Sequence, residues 1–160
     1  MGAGARRPDP PAVAHATVRA AVAAAARLAP GLPLIAGGRS FGGRMTSQAQ
    51  ALLPLPQVAA LVLLAFPLHP AGRPSERRAS HLLEVKLPML FLQGTRDALA
   101  ELSLLRPLVE RLGSRATLTL VDDADHSFHV RASSGRTDAE ARGEMLDALA
   151  AWATAVLRDR

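Results

Sequence analysis

Seven residues, Gly37-Gly38-Arg39-Ser40-Phe41-Gly42-Gly43, limit what this chain can become more than any other stretch. The run before them, Pro33-Leu34-Ile35-Ala36, has the length and apolarity of a buried strand, and the residues from about 43 to 53 suit a helix. A chain that turns from strand into helix within so few residues must hold its central residue in a strained conformation, and its flanks must be small for the two elements to approach. Gly38 and Gly42 are expected to meet that need, and the pattern Gly38-x-Ser40-x-Gly42 then lifts Ser40 above the carboxyl end of the strand. The backbone N–H of Phe41 and the start of the helix face any oxyanion that develops there. A phosphate-binding turn is the rival reading, and its patterns fail. Arg39 breaks the glycine spacing of a dinucleotide fingerprint, and Gly43 stands where a phosphate loop needs lysine.

The rest of the chain repeats the alternation. Val58 to Phe66, Leu87 to Leu92 and Ala116 to Val121 are short, continuous apolar runs bounded by Pro, Gly or Asp, the pattern of strands buried on both faces. Residues 12–29 are Ala-rich and stop at Pro30-Gly31, and Ala98 to Leu112 reads as a helix that Pro107 kinks or divides. Thr137 and Glu140 form a capping box before a final helix, with Met145, Leu146, Leu149, Trp152, Ala153, Val156 and Leu157 assigned to its apolar face. This predicts an α/β architecture of about four parallel strands with helices on both faces, in one domain from 12 to 160. Residues 1–11, with Pro8, Pro10 and Pro11, are expected to be a disordered N-terminal segment.

A serine hydroxyl is a weak nucleophile until a base takes its proton, so Ser40 requires a histidine and an orienting carboxylate. Asp97 closes Phe91-Leu92-Gln93-Gly94-Thr95-Arg96-Asp97 just past one strand, and His126 follows the next in Asp122-Asp123-Ala124-Asp125-His126. All three candidates thus stand at carboxyl ends of strands, where separate loops converge on one crevice. Asp97 also suits an N-cap of the following helix, and His129 competes with His126. Arg39 and Phe41 flank the serine and, with His69 at another strand end, are candidates to border a substrate. Asp122, Asp123 and Asp125 lie in one loop without a second spaced histidine pair and are read as a solvated acidic loop, so no metal site and no cofactor are expected.

Composition removes other chemistries. With no cysteine, disulfides, thiolate metal sites and a cysteine nucleophile are excluded. The formal charge of +5 comes from arginines scattered along the chain, with Lys86 the single lysine, and forms no basic stripe; nucleic acid is not an expected partner. His15, Arg19 and Arg27 interrupt the Ala-rich stretch, so neither a signal peptide nor a membrane span is expected, and the chain reads as a soluble cytoplasmic protein.

Gly37 to Gly43, Phe66-Pro67-Leu68-His69-Pro70, Gln93 to Leu99 and Asp123 to Val130 together resemble the dienelactone-hydrolase-like branch of the α/β hydrolases, which includes the testis-expressed and NSL-complex-subunit-like proteins. The resemblance spans roughly residues 12–157. It implies an α/β-hydrolase fold with Ser40 as nucleophile, His126 as general base and acid, and Asp97 orienting the imidazole, acting on an ester or related small acyl substrate through an acyl-enzyme. Members normally have further strands before the nucleophile, and a loop there supplies the second oxyanion donor. The fold is therefore expected to be N-terminally shortened, with its first strand an exposed edge that a second copy or another protein covers. Losing one oxyanion donor typically costs about 100- to 1000-fold in turnover. A non-catalytic interaction module and an inactive fragment accordingly stand as the alternatives.

Overall fold

The computed structural model describes residues 9–158. Four strands, β1 (Leu34–Arg39), β2 (Val58–Leu64), β3 (Met89–Gly94) and β4 (Ala116–Val121), pair in parallel in the order β1-β2-β3-β4. The register aligns Gly38 with Leu63, Leu63 with Phe91 and Phe91 with Leu118. Neighbouring strands in sequence are therefore neighbours in space, and each connection must cross a face of the sheet.

The crossovers are α2 (Phe41–Leu52), a 3-10 segment at Arg77–Glu84, and α3 (Leu102–Leu112). All three contribute to one apolar layer. Leu61, Leu63, Met89 and Phe91 point into it, and Ala49, Ala79, Leu82, Leu105 and Leu108 meet them. The alternate residues Val62, Leu90, Leu92 and Val121 face the other way and are covered by Ala141, Met145, Ala148, Leu149 and Trp152 of α4 (Asp138–Arg158). That two-sided burial explains why β2 and β3 read as unbroken apolar runs. The first helix, α1 (Pro11–Leu28), packs on α2 and the edge strand β1, and Arg19 donates to the carbonyls of Ala49 and Leu53 at 2.6 and 2.7 Å. The Leu53 carbonyl lies past the end of α2, where no following turn supplies a donor, and the Ala49 carbonyl also accepts Leu53 N–H at 3.2 Å.

The sequence-based elements are recovered with local corrections. The expected disordered segment lies mainly in residues 1–8, outside the described residues, while Pro11 occupies the first position of α1, where its missing N–H is harmless. α3 begins at Leu102, not at 98, because residues 97–100 are held in a turn by the Ala100 N–H bond to the Asp97 carbonyl and Glu101 is extended. Asp97 therefore caps no helix. Pro107 lies inside α3. The capping box of α4 forms, with Thr137 N–H donating to Glu140 at 2.7 Å and Glu140 N–H to Thr137 Oγ1 at 3.2 Å. Leu146, assigned to the buried stripe, is 57% exposed, because at 100° per residue it turns away from the side that Met145 and Leu149 present to the sheet. No helix among the described residues is long and apolar enough to cross a membrane.

Candidate active site

Ser40 has φ 51° and ψ −117°, a backbone conformation that side chains other than hydrogen rarely tolerate. Both sides of the residue are tied down. Its N–H donates to the Leu64 carbonyl at 2.8 Å, extending the sheet by one bond, and its carbonyl accepts the first helical bond, from Arg44 N–H at 3.1 Å. The N–H groups of Phe41, Gly42 and Gly43 belong to the first turn of α2, where no preceding turn supplies an acceptor. Phe41, the expected oxyanion donor, is the first residue of the helix.

The close approach of strand and helix is made by Gly38 and Gly43, not by Gly38 and Gly42. A Cβ on Gly43 would stand 2.5 Å from the Gly38 carbonyl oxygen, and one on Gly38 would stand 3.0 Å from the Gly42 and Gly43 backbone. Around Gly42 nothing lies within 4 Å of such a Cβ. Gly42 faces outward, so the expectation that it is the second small flank is corrected in favour of Gly43.

Asp97 and His126 reach Ser40 from two loops clasped together. Thr95 N–H bonds to the Val121 carbonyl, Arg96 N–H to that of Ala124, and Asp123 N–H to Thr95 Oγ1. Gly94 permits this contact, since a Cβ there would lie 2.3 Å from the Ala124 carbonyl oxygen. Beyond β4, Asp125 accepts the N–H groups of Ser127 and His129 at 2.7 and 3.0 Å, a local turn that fixes His126 at its apex. Within it, His126 Nδ1 lies 2.7 Å from Asp97 Oδ2 and His126 Nε2 lies 2.8 Å from Ser40 Oγ. A carboxylate only accepts, so Nδ1 carries the proton and Nε2 offers its lone pair to the serine hydroxyl.

The Asp97 side chain has no exposed surface, and its charge is met by three donors. Besides His126 these are Gln93 Nε2 at 2.5 Å and Leu99 N–H at 2.8 Å. Gln93, which the sequence reading passed over, spans the site: its amide oxygen also accepts Phe66 N–H at 2.9 Å. Only its place four residues before Asp97, at the end of an otherwise apolar run, could have marked it.

The remaining candidates are placed differently. Arg39 Nη2 donates to Ser127 Oγ at 3.0 Å, tying the serine turn to the histidine loop. His69 is fully buried and its Nδ1–H donates to the Pro70 carbonyl at 2.9 Å. Because its neighbouring backbone is drawn inward by the Leu68 and His69 N–H bonds to Leu99, it presents no surface to a substrate, which corrects its expected pocket-lining place. His129 is engaged by Asp138 at 3.0 Å, whose carboxylate raises its pKa, and stands outside the Ser40 chain of bonds. Among the described residues no three His, Asp or Glu side chains converge as a metal site would require. A cavity of about 490 Å³ runs between α1 and the open edge of β1 as far as Phe41 and Gly42, and does not include Ser40 or His126.

The family model described as an alpha/beta hydrolase domain matches residues 1–154. The chain is an α/β hydrolase by family. Solved structures of the same fold include an alpha-beta serine hydrolase homologue from Coxiella burnetii, 21% identical with a TM-score of 0.67 over 93% of this chain and 64% of that one. A lidless α/β serine hydrolase from Xanthomonas campestris is 25% identical with a TM-score of 0.64 over 95% of this chain and 62% of its own. A proposed dienelactone hydrolase from Klebsiella pneumoniae is 23% identical with a TM-score of 0.66 over 89% of this chain and 61% of its own. This α/β hydrolase thus spans less than two thirds of the length of each of these three chains.

Proposed function

We propose that the chain is a serine hydrolase that cleaves an ester or related small acyl substrate through an acyl-enzyme. One observation carries this reading: Ser40, His126 and Asp97 are linked by consecutive hydrogen bonds of 2.8 and 2.7 Å, with the serine at a strained turn. Ser40 Oγ attacks the acyl carbon while His126 Nε2 takes its proton, and the electron pair of the carbonyl moves onto oxygen. Phe41 N–H and the amino end of α2 stabilise that oxyanion. Collapse expels the alcohol, which leaves with the proton from His126. Water, deprotonated by the same imidazole, then attacks the acyl-enzyme and frees Ser40. Asp97 holds the Nδ1–H tautomer and balances the imidazolium between these steps. The α/β serine hydrolases of similar fold support the reaction class.

Labelling with a fluorophosphonate probe tests the reading. Modification at Ser40, abolished in Ser40→Ala and strongly reduced in His126→Ala, is expected. A folded protein that the probe leaves unmodified would remove the hydrolase assignment.

A second reading, an interaction module, draws on the edge of β1, which among the described residues pairs with β2 alone and borders the cavity beside α1. Its occupant in this reading is a second copy, since two identical edges satisfy each other about a twofold axis. Light scattering that returns a monomer, together with turnover of a short-chain nitrophenyl ester, disposes of it.

A further inference from the structure

Several arginines among the described residues are held by hydrogen bonds or ion pairs. Arg19 and Arg115 donate to main-chain carbonyls, while Arg111, Arg131 and Arg136 pair with Glu76, Asp123 and Glu144. Arg44, one turn along α2 from Ser40, differs. It is half-buried, its Nε–H is buried without an acceptor among the described residues, and its guanidinium lies over the Phe41 ring, 5.7 Å from the centroid. Leaving a buried donor unpaired is unfavourable, the more so for a charged group, and a ring face returns only part of that loss.

A second cation adds to the imbalance. Arg78, half-buried on the 3-10 segment that packs against α2, has no hydrogen-bond partner among the described residues, and its charge together with burial lowers the pKa of Arg44. No acidic side chain lies within 4.0 Å of either guanidinium among the described residues. The adjacent His81 adds no compensating charge: burial and Arg44 hold it neutral, with a pKa of about 4, and its Nε2 is 2.8 Å from Ser47 Oγ. Two guanidiniums with no acid beside them, one of them over the ring of the residue that follows the nucleophile, suit a dianion better than a single carboxylate, which one arginine neutralises.

We propose that Arg44 and Arg78 form a subsite for a phosphate monoester group carried by the acyl substrate. Its assignment to a substrate rests on Ser40 being the nucleophile. One turn of helix separates residues 40 and 44, so the Arg44 side chain leaves α2 about 5–6 Å along the helix from the nucleophile. The terminal Nη groups of Arg44 and the Arg78 fork donate to phosphate oxygens, and the Phe41 ring closes one side.

The Ser40→Ala protein, unable to turn over esters, is titrated with 1-butyrylglycerol 3-phosphate, with monobutyrin and with inorganic phosphate, following the ¹⁵N–¹H signal of Arg44 Nε. At least tenfold tighter binding of the phosphate ester than of monobutyrin is expected, with a shift of the Nε signal, and Arg78→Gln should erase most of that difference. Equal affinities for the two esters overturn the subsite. So does inorganic phosphate that binds as tightly as the ester, which makes it a free-anion site, or monoethyl succinate that matches the phosphate ester, which makes the preference one for any anion. Fluorophosphonate labelling of the wild type is read separately: labelling without discrimination leaves the nucleophile and removes the subsite, and discrimination without labelling does the reverse.

Discussion

Replacing Gly43 with alanine, with Gly42→Ala as its partner experiment, probes the contact on which the serine turn depends. The new methyl of Gly43→Ala would sit 2.5 Å from the Gly38 carbonyl oxygen and 3.3 Å from its carbon, whereas ordinary tight contacts begin at 3.0–3.4 Å. Both obstacles are backbone, so no side chain can rotate away, and α2 must retreat from β1 by roughly 0.5–1 Å. Such overpacking costs about 1–3 kcal/mol. Ser40 is the hinge between the two elements, and a displacement near 1 Å at a reacting group costs about 100-fold in rate. In Gly42→Ala the methyl meets nothing within 4 Å, and the gain in helix propensity is at most about 0.5–1 kcal/mol in the first turn. Urea unfolding, with the slope checked for constancy, gives the stabilities, and the rate of fluorophosphonate labelling reports on Ser40. Gly43→Ala as stable and as reactive as Gly42→Ala would refute the strand-to-helix contact as the device that positions the serine.

Three further outcomes follow from the same geometry. Gln93→Leu removes a donor from the buried Asp97 carboxylate and orphans Phe66 N–H, and should cost about 1–3 kcal/mol in urea unfolding while slowing labelling of Ser40; labelling at the wild-type rate would show that Asp97 needs no such support. His81 is neutral in the folded chain down to about 4 and takes a proton near 6.5 when unfolded, so the unfolded state binds more protons between those values and stability falls as pH drops. The loss between pH 7 and pH 5 should be about 1–2 kcal/mol larger in the wild type than in His81→Gln, and equal losses would contradict the burial of that ring. Asp138 raises the pKa of His129 and is itself lowered, so their mutual stabilisation is present between about pH 4 and 6.5, is lost at higher pH as His129 deprotonates through its raised value, and is lost at lower pH as Asp138 protonates. Thermal melts of His129→Gln should fall below the wild type at pH 5.5 and converge with it at pH 9.

Local pattern carried the sequence a long way. β2 and β3 are legible because strands covered on both faces read as near-continuous apolar runs, whereas β4, expected to be buried in the same way, is a partly exposed edge strand that carries Thr117 and Thr119; the serine turn is legible because a strand-to-helix reversal admits few residue types. Asp97 and His126 could be named because each closes an apolar run, which in a parallel sheet places both at one rim. Contact across the sheet leaves no such trace. Gly43 rather than Gly42 lies against the strand because the direction of a Cβ depends on how the helix is set, and Gln93 serves Asp97 because a side chain at the strand end reaches across to a neighbouring loop. His69 looks like a rim residue in sequence and is buried in space, and the want of an acid beside Arg44 and Arg78 among the described residues emerges only when the 3-10 segment is packed on α2. The sequence determined the order of elements and the chemical types at their ends, both set by local sterics and hydrophobic burial; which of those residues touch was decided by the tertiary packing, because contact depends on orientation that no periodicity records.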